Sequence, residues 1–111
     1  MNSFDINSYS GSEYVMHCKD EKEAELFCEY LHYHGRKWGS GLSYNEDSFS
    51  DRYKGMMCYY FNTGMYADLP YCIKEGCKIL EFSDFCWDGL INTHKEDYEN
   101  FDSFINEFIV N

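Results

Sequence analysis

The sequence predicts one α+β domain: a small mixed or antiparallel sheet of about four to five short strands, covered by two main helices at about 21–34 and 94–109. Three observations lead there. Two stretches place apolar residues at helical spacing behind an N-terminal capping pattern. The β-type runs are short, and turn residues separate them instead of the regular helix alternation of a doubly wound fold. With 111 residues, 44% apolar and 20% aromatic, the chain is long enough for one core and little more.

Residues 1–12 are polar, rich in Ser and Asn, and are expected to form a flexible N-terminal arm ahead of a domain spanning 13–111. Tyr14 to Cys18 is a short β-type run. Asp20 followed by Glu23 is a capping box, and Ala24, Phe27, Cys28, Leu31 and His34 then line one helical face. Glu21, Glu23 and Glu25 suit the positive end of that helix, His32, His34 and Arg36 the negative end, and Gly35 its termination. Leu42 to Tyr44 is expected as a short strand, with 45–55 a polar loop in which Phe49 and Tyr53 pin one helical turn. Met56 to Asn62 is aromatic enough for a strand, and Asn62-Thr63-Gly64 offers a hairpin turn into Met65-Tyr66-Ala67. Pro70 suits the first turn of a short helix through Lys74, which Gly76 stops. Cys77 to Phe82 is the final strand. Thr93 and Glu96 form a second capping box, followed by Tyr98, Phe101, Ile105 and Phe108 at helical spacing. The expected order is β-α-β-β-β-α-β-α.

Composition removes several function classes. Nine basic residues against twenty acidic give a net charge of −11, which repels phosphate backbones and anionic membrane, so no direct nucleic-acid or membrane binding is expected. No apolar run approaches the ~18 residues of a membrane span, and the N-terminus lacks the basic and apolar regions of an export signal. The expected setting is therefore cytoplasmic, where the six cysteines are free thiols. Structural zinc needs closely paired ligands such as C-x-x-C; the nearest pair here, Cys72 and Cys77, has four residues between and no second pair exists, so no metal or other cofactor is expected. No cysteine-hydrolase signature surrounds any cysteine, and no enzyme is expected. Trp38-Gly39-Ser40-Gly41 follows a helix and lacks the spacing of a phosphate loop. Its simplest role is a tight connection that packs Trp38 over the sheet edge.

Two features suggest binding surfaces. The first is charge: residues 81–111 hold eight acids and Lys95 alone, a net of −7, whereas residues 1–80 hold twelve acids and eight bases. Helix-dipole effects account for Glu96, Asp97 and Glu99 but not for Glu107 in the last turn. The candidate partner-binding residues are Asp84, Asp88, Glu96, Asp97, Glu99, Asp102 and Glu107. The second is the count of eleven tyrosines, residues suited to half-wet binding surfaces. An alternative ligand surface would use Arg36 and Lys37 as cations with Trp38, Tyr44, Tyr59 and Trp87 as walls.

The segments YVMHCKDEKEAELFCEYLHYHGRKWGSGLSY, MCYYFNTGMYAD and ILEFSDF lie between Tyr14 and Phe85, about two-thirds of the chain. Through them the sequence resembles small accessory proteins encoded by phages and prophages of Gram-positive bacteria. No enzymatic residue carries over from that group. The resemblance implies a short phage accessory gene acting in the host bacterial cytoplasm, and many such genes antagonise bacterial immunity, anti-CRISPR proteins among them. The expected partner is a host defence protein that itself binds nucleic acid, inhibited by an acidic surface that imitates phosphates. The alternatives are a small-molecule sponge for a nucleotide immune signal and a phage structural or regulatory factor.

Overall fold

A computed structural model describes residues 2–87; the expected helix at 94–109 lies outside them. The elements in chain order are β1 (Asn2–Ser3), β2 (Tyr14–Cys18), α1 (Glu21–Tyr33), β3 (Met57–Tyr60), β4 (Tyr66–Asp68), α2 (Leu69–Lys74), β5 (Lys78–Glu81) and β6 (Phe85–Cys86). The class is α+β. Four strands form one mixed sheet in the order β4-β3-β2-β5, in which β2 runs antiparallel to β3 and parallel to β5. β1 and β6 form a separate parallel pair.

Alternation along β2 and β3 sends side chains to opposite faces. Met16, Cys18, Met57 and Tyr59 join the main core with Ala24, Leu26, Phe27, Cys28 and Leu31 of α1. Val15 and Cys58 face the other way and are buried with Cys72 of α2. The helices therefore lie on opposite faces of the sheet, not together on one face.

α1 begins where the sequence places it. Asp20 Oδ1 accepts a 2.8 Å hydrogen bond from the Glu23 amide. The return half of the box is shifted by one residue, since the Glu23 carboxylate takes the Lys19 amide at 3.0 Å. The helix ends in a Schellman motif: Arg36 N donates to Leu31 O, Gly35 N donates to His32 O, and Gly35 adopts φ +77°. Its buried stripe is broader than the predicted one, because Glu23, Leu26 and Tyr30 are buried as well. Phe27 is fully buried.

Three expectations need correction. Residues 1–12 do not form a detached arm as far as they are described: Phe4 and Ile6 enter the core, and the Tyr30 hydroxyl joins the Phe4 carbonyl to the Ile6 amide. Two apolar side chains at spacing two were hidden among polar neighbours. Leu42–Tyr44 is not a strand, since only one isolated bridge, Lys37 to Ser43, forms there. Phe49 does not pin a helical turn but sits at φ +52° with its ring stacked on Tyr66. The β3–β4 hairpin does form, and Gly64 at φ +70° is required in it. A Cβ at Gly64 would collide with the backbone of Gly39, Lys37 and Trp38. That close approach fastens the Trp38–Gly41 connection to the hairpin, with Gly39 N donating to Gly64 O at 2.9 Å.

Candidate functional site

Packing on both flanks of α1 decides what its solvent side carries. The N-terminal segment covers the Tyr30 flank, where Phe4 meets Phe27 and Tyr30 edge-on. The strip that remains includes Glu21 and Glu25, both exposed, and the half-buried Glu29. These acids recur every four residues, which stacks them about 6 Å apart along one side of the helix. Glu25 is raised above the usual carboxylate range, first by partial burial and then by the charges of Glu21 and Glu29. Like charges at this spacing weaken an isolated helix. Asp47 is exposed in the following loop and its field reaches Cys28, as do those of Glu25 and Glu29. The acids of the helix strip form a carboxylate ridge along α1.

Of the acids expected from the sequence to bind a partner, Asp84 is exposed in a 3-10 turn at Phe82–Asp84. Asp88, Glu96, Asp97, Glu99, Asp102 and Glu107 lie outside the described residues. The α1 ridge was missed because its acids had already been assigned to the helix dipole. The available signal was the i, i+4, i+8 repeat, which extends too far into the helix for the dipole to account for Glu29.

The alternative ligand surface is arranged differently from its expectation. Trp38, Tyr44 and Tyr59 do come together, with ring centroids 4.3 Å apart for Trp38 and Tyr44 and 6.0 Å apart for Trp38 and Tyr59. They are, however, only 5%, 1% and 0% exposed. The Trp38 indole donates to Asp47 O at 2.8 Å and the Tyr59 hydroxyl to Ser48 O at 2.6 Å, so both rings hold the 44–49 loop down. Trp87 packs elsewhere, stacked on Phe82 and donating to the Phe82 carbonyl. Arg36 donates to His34 O and Asn62 Oδ1. Lys37 is exposed. These aromatic walls are core, and they explain much of the tyrosine count: Tyr30, Tyr44 and Tyr59 are buried, while Tyr53 and Tyr71 are exposed.

A polar pair lies on the α2 side of the sheet. Parallel pairing sets His17 beside Glu81, and His17 Nδ1 meets the Glu81 carboxylate at 2.6 Å while Nε2 meets Gly55 O at 2.7 Å. Both ring nitrogens face oxygen atoms, one of the Glu81 carboxylate and one of the backbone. The pair ties β5 and the Gly55 turn to β2. Neither imidazole nitrogen is left to act on a substrate, so the arrangement is a structural clamp. Among the described residues no group of three or more His, Cys, Asp or Glu side chains is disposed to hold a metal ion. No helix among them is long and apolar enough to cross a membrane.

The fold and the ridge define a small α+β protein with an acidic helix face. Compared with known proteins, the chain matches no family model, no curated protein and no solved structure.

Proposed function

We propose that the protein acts by binding a macromolecular partner and that its acidic surface imitates nucleic-acid phosphates on the basic groove of a bacterial defence effector, a CRISPR nuclease being the representative target. The observation that carries this reading is the carboxylate ridge on α1, centred on Glu25, where like charges are kept at successive turns against the preference of the helix. A rigid helix holds carboxylates at fixed spacing, which a phosphate mimic needs. Arg and Lys of the partner groove would pair with them. The resemblance to phage accessory proteins supplies the biological setting: a phage product that inhibits host immunity. Exposed Leu42, Tyr53, Met56 and Met65 offer apolar contact elsewhere on the surface.

The test is inhibition of a panel of purified CRISPR nucleases by the full chain at low and high salt. Wild type should inhibit at least one member, with affinity falling steeply as salt rises. Glu25→Lys combined with Glu29→Lys should weaken that inhibition at least about tenfold, a loss of roughly 1.4 kcal/mol, while thermal melting confirms folding. Asp97→Lys, Glu99→Lys and Asp102→Lys together form a second arm for the C-terminal acids. Undiminished, salt-independent inhibition in both arms would discard the mimic.

A further inference from the structure

α2 ends as α1 does, in a Schellman motif. Cys77 N donates to Cys72 O at 3.0 Å, Gly76 N donates to Ile73 O at 3.2 Å, and Gly76 adopts φ +74°. In this motif the residues at the two ends of the wider hydrogen bond bring their side chains into contact, commonly as an apolar pair. Here both are cysteines. Cys77 and Tyr60 pack against the buried cluster that holds Cys72 and Cys58, and the Tyr60 hydroxyl lies 3.5 Å from Cys77 Sγ. Cys72 and Cys58 are completely buried, whereas Cys77 is half-buried between the exposed Gly76 and Lys78. The backbone turn therefore pairs a half-buried cysteine with a buried one.

We infer that Cys72 and Cys77 form a redox modification site, a dithiol that hydrogen peroxide converts to an intramolecular disulfide. Cys77 is the attacking sulfur because it is the more exposed residue of the two. As thiolate it attacks one peroxide oxygen, the O–O bond breaks, and the departing hydroxide takes up a proton to leave as water. Cys77 is then a sulfenic acid. The Cys72 sulfur attacks Cys77 Sγ, the S–O bond breaks, and the hydroxide released takes the Cys72 proton as a second water. The two sulfurs together lose two electrons and the peroxide gains them. Burial raises the Cys72 thiol above its ordinary range, in keeping with a resolving thiol that stays protonated until its partner is oxidised. The bond would staple the end of α2 to the start of β5, an edge strand of the sheet.

The primary structure supplies a direct assay. Trypsin cuts after Lys54, Lys74 and Lys78, so Cys58 and Cys72 fall in peptide 55–74 and Cys77 in peptide 75–78. The reduced full chain is treated with hydrogen peroxide, free thiols are blocked with iodoacetamide, and the digest is analysed by mass spectrometry without reductant. The expected dominant product is the pair 55–74 and 75–78 joined by a disulfide, released by reductant, absent from Cys77→Ser and retained in Cys86→Ser. Fragmentation of the joined wild-type pair assigns the bond to Cys72 or Cys58 without relying on a buried-site variant. Assignment to Cys58 would overturn the inference. So would Cys77 advancing to sulfinic acid with no joined pair, or Cys86 consuming peroxide while Cys77 remains alkylatable.

Discussion

Two buried tyrosines in the same aromatic group make opposite use of their hydroxyls. The Tyr59 hydroxyl donates to Ser48 O at 2.6 Å and fastens the 44–49 loop. The Tyr44 hydroxyl is buried without a hydrogen-bond partner among the described residues. Burial pushes both phenols well above their ordinary range, so both stay neutral. An unpaired buried hydroxyl costs about 1–3 kcal/mol of desolvation, and a made hydrogen bond contributes about 0.5–1.5 kcal/mol. Tyr44→Phe should therefore be neutral or stabilise by roughly 1 kcal/mol, whereas Tyr59→Phe should destabilise by about that amount. Urea unfolding of the two variants checks the sign, and equal losses in both would contradict the geometry.

At the scale of the element, α1 carries both the scaffold and the proposed binding face, and pH separates the two. Glu25 holds its proton more tightly in the folded chain than in the unfolded chain. Below the unfolded value both states are protonated and nothing is lost. As pH rises through that value the unfolded state releases the proton first, so stability falls, and the penalty persists at neutrality. Glu25→Gln keeps the helix propensity and removes the charge. Its melting temperature should match wild type near about pH 4 and exceed it near about pH 7. Equal differences at both pH values would show that Glu25 is not held in the field of its neighbours.

The same helix shows what could be seen in the sequence. Its start, its end and its Phe27 face were legible because capping and periodicity are local signals, whereas the burial of Tyr30 was not, because it depends on a segment about 25 residues earlier folding back onto it. β2 was placed residue for residue and the β3–β4 hairpin was found through Gly64. β1 and β6 are two residues each and leave no periodicity to detect. The candidate acids at 96–107 were chosen by composition. The ridge on α1 was overlooked because one physical cause, the dipole, had already been applied to part of it.

At the scale of the molecule, the core is unusually aromatic, and one ring in it belongs to a segment whose composition suggested an arm. Phe4 contacts Tyr9, Phe27, Tyr30, Phe61, Phe85 and Trp87, rings that come from its own segment, α1, the end of β3 and the β6 region. Truncating such a ring removes its transfer energy and leaves a cavity at the centre of the cluster. Phe4→Ala should cost about 3–5 kcal/mol, as for a central core phenylalanine. A detached arm would make the same change worth less than about 0.5 kcal/mol. Chemical unfolding distinguishes the two, and it reports on the whole domain because the ring lies in the main core and not in a satellite.

The pairing of β1 with β6 has a consequence for how the protein is made. Asn2 and Ser3 leave the ribosome ahead of their partners Phe85 and Cys86, which follow more than eighty positions later. At about 5–20 residues per second the early segment waits roughly 4–16 s before the strand it pairs with has been synthesised. Throughout that interval Phe4 and Ile6 lack Trp87 and Phe85 as neighbours, and the nascent chain presents an apolar surface that only completion of the far end can cover. Codon speed upstream of Phe85 and chaperone access to the first ten residues should therefore govern yield more strongly than changes in the middle of the gene. A fusion at the amino terminus would burden the segment that must find its place last.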